Sequence, residues 1–162
     1  MSAVQREQQI WTWLAEVPDP EIPVVSVIDL GIVRNVIVGE DTVEVEVSPT
    51  YSGCPATEVI EDSILSRLRD EGLKGVSVKR VLSPPWTTDW ISESGREKLR
   101  EYGIAPPVGS ASKRELLGKG AVRCPRCGAS QTTVVSEFGS TACKASYKCD
   151  DCLEPFEYFK CI

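Results

Sequence analysis

Two cysteine pairs near the C-terminus constrain the fold of this 162-residue chain more than any other feature. Cys124-Pro-Arg-Cys127 and Cys149-Asp-Asp-Cys152 are both CxxC motifs, and 21 residues separate them. Two such motifs can complete a tetrahedron of sulfur around one ion, with Zn–S distances of about 2.3 Å. A segment of about forty residues buries too little apolar surface to fold alone, so a bound metal would supply much of its folding free energy.

We therefore predict a C-terminal zinc ribbon with one structural zinc per chain, held by Cys124, Cys127, Cys149 and Cys152. Gly128 is expected at positive φ after the first pair, with short strands over 132–136 and 147–148. Tetrahedral sulfur ligation also suits an iron–sulfur cluster, which remains the alternative cofactor. Cys143 and Cys161 have no obvious partner. They are either buried apolar side chains or accessory metal ligands.

The composition excludes several classes of protein. The chain contains no histidine, which rules out Ser-His-Asp and Cys-His catalysis and iron sites built on two histidines. Residues 1–120 hold 19 acidic and 13 basic side chains, and residues 121–162 hold five of each, so nucleic acid is a disfavoured partner. No apolar run approaches the roughly 18 residues of a membrane span, and the N-terminus lacks an apolar leader. We predict a cytoplasmic protein without a membrane partner, whose reduced thiols favour metal ligation over disulfides.

Residues 1–104 are predicted to form an α+β domain with helices on one face of a three-stranded sheet. The predicted order is helix, strand, strand, helix, strand, helix, centred on residues 10–14, 27–38, 42–47, 55–71, 76–82 and 92–102. Alternating valines and glutamates over 42–47 indicate a strand with one buried face. Residues 105–120 are rich in proline, glycine and serine and are predicted to be a linker, so that the ribbon occupies 121–162.

The seventh cysteine, Cys54, stands apart from the ribbon. It precedes Pro55 at the start of the predicted second helix, where we expect it to be the N-cap residue. The helix dipole there would stabilise a thiolate that can ligate soft metals or react. The alternative is an ordinary structural cysteine. Similarly, the stiff acidic loop Asp19-Pro-Glu-Ile-Pro23 is either a connector or part of a site, and Trp86 and Trp90 either close the core or form a partner surface.

These motifs, together with Asp29-Leu-Gly31 and Thr50 before Cys54-Pro55, resemble the small domain of iron–sulfur assembly factors of the SufT and cytosolic-assembly type. The resemblance covers roughly residues 8–85. The segments 84–90, 124–127, 138–144 and 155–161 extend it over nearly the whole chain, which is similar to the PaaD family, encoded with bacterial phenylacetyl-CoA epoxidases.

The resemblance implies an accessory factor of aerobic phenylacetate breakdown rather than an enzyme. Such a factor would mature or maintain an iron or iron–sulfur centre of the epoxidase oxygenase or reductase subunits. It also implies that Cys54 is the functional thiol, binding iron or a cluster transiently, with Asp19, Glu21 and Thr50 as its neighbours. The sequence carries neither the Glu-x-x-His ligands of a di-iron site nor a Rossmann glycine fingerprint.

Two other hypotheses remain. The protein could be a structural, non-catalytic subunit of the epoxidase complex, or a thiol oxidoreductase that uses a CxxC pair. The last is the weakest, because a thioredoxin-type CxxC opens a helix after a strand. An exposed edge on the third strand would also allow a homodimer.

Overall fold

The computed structural model describes residues 1–50, 54–107 and 122–160. The chain divides into two compact units, Met1–Trp86 and Thr87–Ile162. In the described part of the chain, no helix is long and apolar enough to cross a bilayer.

The first unit is a three-stranded sheet with two helices. Its elements are α1 (Ala3–Leu14), β1 (Val33–Val38), β2 (Thr42–Val47), α2 (Ala56–Asp70) and β3 (Gly75–Arg80). The strand order is β1-β2-β3, with β1 antiparallel to β2 and β3 parallel to β2. A parallel pair needs a long crossover, which α2 provides. The hydroxyl of Ser2 and the side chain of Gln5 form a capping box that begins α1.

One face of the sheet carries the core of this unit. Val43, Val45 and Val47 on β2 are almost fully buried, whereas Glu44 and Glu46 on the opposite face are only half-buried. The helices contribute apolar stripes at helical spacing, formed by Ile10, Leu14, Ile60, Ile64 and Leu68. Because α1 packs on β1 and α2, and α2 packs on β3, the predicted α+β layer is confirmed.

The first strand is shorter than predicted, because the chain turns before it. Ser26 and Asp29 bond reciprocally, each side chain accepting from the other's backbone N–H, and the N–H of Ile32 donates to the carbonyl of Val27. Gly31 adopts a φ of 68°, which suits glycine. The expected strand over residues 27–38 therefore begins only at Val33.

The second unit contains α3 (Glu93–Tyr102), β4 (Ile104–Ala105), β5 (Thr132–Ser136), β6 (Lys144–Cys149) and β7 (Pro155–Phe159). Its sheet has the order β4-β7-β6-β5, with β4 parallel to β7 and the other pairs antiparallel. The predicted strand over 132–136 is confirmed, and the one over 147–148 extends back to Lys144. Strand β7 was not predicted. Tyr147 fixes its packing, with ring centroids 5.8 Å from Phe156 and 5.5 Å from Tyr158.

The division into units differs from the predicted boundary at residue 104. Ile104 and Ala105 pair with Glu157 and Tyr158, so the start of the predicted linker is a strand of the ribbon's sheet. Helix α3, expected in the first domain, packs on that strand. Most of the predicted linker, residues 108–120, lies outside the described ranges, as does residue 121 of the predicted ribbon.

Candidate metal centre and thiol site

The four predicted cysteines converge on one point in the second unit. The Sγ atoms of Cys124, Cys127, Cys149 and Cys152 all lie within 4.8 Å of one another. Cys124 Sγ is 3.8 Å from Cys152 Sγ, and Cys127 Sγ is 3.5 Å from Cys149 Sγ. A tetrahedral zinc with bonds of about 2.3 Å separates its sulfurs by about 3.8 Å. The donor set therefore fits one tetrahedral metal ion.

Each CxxC pair is held in a tight turn. In the first, Gly128 N–H donates to the Cys124 carbonyl at 2.9 Å, and Gly128 has a φ of 78°, as predicted. In the second, the equivalent position is Leu153, the one described non-glycine residue at positive φ, with a φ of 64°. A leucine in this conformation is strained, and such strain persists only where the surroundings impose it. Leu153 closes the second CxxC turn at the position that Gly128 holds in the first.

The thiols of the group influence one another's protonation. The backbone N–H of Cys152 donates to Cys149 Sγ at 3.5 Å, and this is the main cause that lowers the pKa of Cys149 to about 7. The N–H of Glu154 favours the Cys152 thiolate, but burial and hydrogen bonding with the other three sulfurs outweigh it and raise the pKa of Cys152 to about 12. Without a cation, one sulfur ionises easily at the expense of its neighbours. A bound metal would stabilise all four thiolates.

Cys143 does not lie in this group. It precedes β6, whereas Cys149 ends it, and six residues of strand span roughly 20 Å. Its side chain is 4% exposed, and its sulfur lies 3.0 Å from Thr141 Oγ1. It cannot serve as an alternative ligand of the four-sulfur site. Cys161, the other predicted accessory ligand, lies outside the described residues.

Cys54 lies in the first unit, directly before α2. The structure gives Pro55 as the N-cap of α2, one residue after the expected Cys54, although Pro55 has the helical dihedral angles of a first helical position, with φ −66° and ψ −23°. The carbonyl of Cys54 accepts from Thr57 N–H, and its side chain is 9% exposed. The thiol is therefore largely covered, at the junction between the end of β2 and the helix.

Backbone hydrogen bonds connect the acidic loop to the same end of the sheet. The N–H of Ser48 donates to the carbonyl of Ile32, the N–H of Ile32 to the carbonyl of Val27, and the N–H of Val27 to the carbonyl of Val17. Pro18 and Ser26 form an isolated β-bridge. The loop that carries Asp19 and Glu21 is thereby tied to the segment that follows β2.

The three proposed neighbours of Cys54 differ in exposure. Asp19 is 5% exposed, whereas Glu21 and Thr50 are half-buried. Direct contacts between them and the Cys54 sulfur remain a prediction.

Two further side chains of the first unit bear on this region: Trp86, for which core packing and a partner surface were the alternatives, and Ser48, which was not singled out. Trp86 is buried and donates from Nε1 to the Leu30 carbonyl at 2.8 Å, which resolves its role as core packing. Ser48 is 1% exposed, and its hydroxyl has no hydrogen-bond partner within the structure described. A buried hydroxyl without a partner is rare, and nothing local in the sequence marks it.

The two units correspond to two known families. Residues 7–83 match the model of the iron–sulfur cluster assembly protein family, and residues 109–160 match that of the PaaD zinc beta ribbon domain. The first match is supported by a crystal structure of a domain of unknown function from Bacillus anthracis, with a TM-score of 0.56 at 25% identity. That likeness covers 59% of this chain and 92% of the other.

Three curated proteins are similar in sequence. A protein of Escherichia coli (strain K12) named as a subunit of 1,2-phenylacetyl-CoA epoxidase is 54% identical over 95% of this chain and 92% of its own length. An Fe-S protein maturation auxiliary factor of Porphyromonas gingivalis is 38% identical over 62% of this chain and 94% of its own. The Fe-S protein maturation auxiliary factor SufT of Staphylococcus aureus is 35% identical over 50% of this chain and 93% of its own length.

Fold and site thus define an iron–sulfur assembly domain joined to a four-cysteine zinc-ribbon-type module. The chain belongs to the PaaD family, which includes the Escherichia coli protein.

Proposed function

We propose that the protein is a non-catalytic accessory factor that matures or maintains an iron or iron–sulfur centre of a phenylacetyl-CoA epoxidase. The observation that supports this most strongly is the joining of two matches in one chain. An assembly-type domain over residues 7–83 is shared with two maturation auxiliary factors, and the ribbon is of the PaaD kind. The clients would be the oxygenase and reductase subunits, in the cytoplasm.

Cys54 is the thiol that handles the cargo in this proposal. A single cysteine gives an iron ion or cluster one strong thiolate bond and leaves its other positions for the ligands of the client. Its low exposure would protect the bound cargo from water and oxidants. The acidic loop supports this role, since the carboxylates of Asp19 and Glu21 are hard oxygen ligands that suit iron. Thr50 begins the segment that leads to the thiol.

The ribbon is proposed to hold one structural zinc. Four thiolates close the coordination sphere, so no position remains open for a substrate, and the metal would serve folding rather than chemistry. Elemental analysis, labile sulfide and visible absorbance of protein purified without oxygen test this directly. One zinc per chain and a colourless protein are expected. A brown protein with labile sulfide would show that the four cysteines hold an iron–sulfur cluster instead of zinc.

A structural role in the epoxidase complex is the second candidate. The similarity to a protein named as an epoxidase subunit favours it, and the open edge of β3 offers a surface for another subunit or a second copy. The thiol-oxidoreductase hypothesis is not supported by the geometry. The CxxC pairs lie in turns with their sulfurs facing one another, and not at the start of a helix.

The two candidates are separated by producing the epoxidase in cells that carry either wild-type protein or the Cys54→Ser variant. The accessory role predicts lower iron content in the purified oxygenase or reductase, and lower epoxidase activity, while the complex still assembles. Cys143→Ser is the matched control, since it also removes a buried thiol outside the four-sulfur group. Normal iron in both clients with Cys54→Ser would exclude the accessory role and leave the structural one.

A further inference from the structure

A cavity of about 320 Å³ lies in the second unit, beside the metal centre. Its walls are the end of α3, the Pro106-Pro107 segment after β4, and the first CxxC turn. A volume of this size is at the lower end of the range found for sites that bind small molecules. Gly128 lines it without a side chain, and a Cβ placed on this glycine would meet no other atom within 4 Å.

The lining combines apolar rings with positive charge. Pro106, Pro107 and Pro125 supply rigid apolar walls, while Arg100 and Arg123 supply two guanidinium groups. Among the described residues that line the cavity, none is acidic. Such a lining suits a ligand with an apolar body and a negatively charged group.

The two arginines are available for a ligand to different degrees. Arg123 makes no hydrogen bond or ion pair within the described ranges, although the whole chain carries a net charge of −6. Arg100 pairs with Glu97 one turn earlier on the exposed surface of α3, and such a pair contributes little. The guanidinium of Arg126 is also nearby, since its Nη2 would lie 3.4 Å from a Cβ on Gly103 at the end of α3. Two arginines thus line the cavity, and a third positive side chain lies near the end of α3.

We propose that this cavity binds a small organic anion, whose carboxylate or phosphate is held by Arg100 and Arg123 and whose apolar body packs on the prolines. Planar guanidinium groups bind both anions through paired N–H donors, which a lysine cannot do. The proposal does not depend on the function of Cys54. The alternative to anion binding is a simpler role for Arg123, which could neutralise the neighbouring thiolates. A zinc ion with four thiolates carries two negative charges, which a nearby guanidinium would stabilise.

The test uses the full-length, metal-loaded chain and three probes with the same ring. Benzoate carries a carboxylate, phenyl phosphate carries a phosphate, and benzamide is neutral. Titrations followed by ¹H–¹⁵N spectra report the location through the backbone amides of Ala105, Cys124 and Gly128. Both anions are expected to shift these signals saturably, less strongly at high salt, while benzamide leaves them in place. Saturation by one anion but not by the other identifies which group the site accepts.

Arg123→Gln is the decisive variant, and Arg69→Gln, an exposed arginine on α2 in the other unit, is its control. Loss of a charge-assisted hydrogen bond is expected to weaken anion binding roughly tenfold or more in Arg123→Gln, with metal content unchanged. The control should bind as the wild type does. Failure of both anions to shift these amides at millimolar concentration would overturn the proposal. It would equally be overturned if Arg123→Gln lost metal affinity but left the titrations unchanged.

Discussion

Glu157 on β7 connects two other parts of the ribbon through its carboxylate. It accepts from the backbone N–H of Ser140 at 2.8 Å and from the Ser140 hydroxyl, and it pairs with Lys144 at 3.4 Å. The Lys144 side chain is only 5% exposed, so its charge depends on this partner. Gly139 lies so close that a Cβ there would overlap the carboxylate. These contacts give Gly139, Ser140 and Lys144 a structural role within segment 138–144, which resembles the PaaD family.

Replacing Glu157 by glutamine is expected to remove a pH-dependent part of the stability. Burial raises the pKa of Glu157, but the hydrogen bonds from Ser140 and the charge of Lys144 outweigh it and lower the pKa below its ordinary value. A carboxyl whose pKa is lowered by folding stabilises the folded state above its unfolded pKa. That contribution is lost as the pH falls through the folded value. Glu157→Gln should therefore cost about 1 kcal/mol at neutral pH and progressively less below about pH 4.5.

Denaturant unfolding across a pH series, with metal content recorded for each sample, checks this prediction. Glu137→Gln is the control, since Glu137 is exposed. A stability difference that stayed constant from neutral to acid pH would show that the ionised carboxylate of Glu157 does not stabilise the fold.

Individual residues were predictable where the signal was local. The CxxC spacing identified the four cysteines whose sulfurs converge, and the glycine after the first pair identified its turn. Cys54 lies one residue before the N-cap of α2, which is within the one or two residues by which helix boundaries vary. The buried hydroxyl of Ser48 depends on residues far away in sequence. The cavity at Arg123 is also non-local, because half of its described lining residues come from α3, β4 and the segment after β4, and the other half from residues 123–128. No spacing rule could have found it.

The helices and strands show the same division between local and distant causes. Strand β2 was predicted because its valines and glutamates alternate, and α2 because its apolar residues repeat at helical spacing. Strand β4 has only two residues and exists because it pairs with β7, some fifty residues later. The start of β1 was misplaced because the Ser26–Asp29 pair closes a turn within an apolar run that otherwise reads as strand.

The packing of α2 gives a prediction for the first unit. Leu68 is fully buried, whereas Val59 on the same helix is 49% exposed. Leu68→Ala should lower the free energy of unfolding by about 2–5 kcal/mol, through lost apolar burial and the cavity left behind. Val59→Ala should change it by less than about 0.5 kcal/mol. Chemical denaturation followed by circular dichroism measures both, and similar losses for the two variants would contradict the placement of α2.

The two units of the molecule differ in charge and in what stabilises them. Residues 1–86 contain 14 acidic and 7 basic side chains, a net charge of −7. Residues 87–162 contain 10 acidic and 11 basic side chains, a net charge of +1. The first unit has a sheet-and-helix core of its own. The ribbon has a small aromatic cluster around Tyr147 and, in our proposal, a metal ion.

Metal removal should therefore affect the units unequally. A chelator is expected to unfold the ribbon, because its metal-binding free energy is also folding free energy, and to leave the first unit folded. Amide signals of Val43 and Val45 should persist in ¹H–¹⁵N spectra, while those of Tyr147 and Tyr158 should lose their native dispersion. Readdition of zinc should restore them. Persistence of the native Tyr147 and Tyr158 signals after complete metal removal would contradict the structural role of the ion.

The central claim is that Cys54 delivers iron or a cluster to an epoxidase subunit, and transfer between purified proteins tests it most directly. Zinc-loaded wild-type, Cys54→Ser and Cys143→Ser proteins are incubated with ferrous iron, with or without sulfide, and separated from free iron under anaerobic conditions. Each is then mixed with iron-depleted oxygenase or with cluster-free reductase, and the iron and sulfide bound to the client are counted. Wild type and Cys143→Ser should load one of these clients faster than free iron does, and Cys54→Ser should not. Equal loading of both clients by wild type and Cys54→Ser would contradict the account.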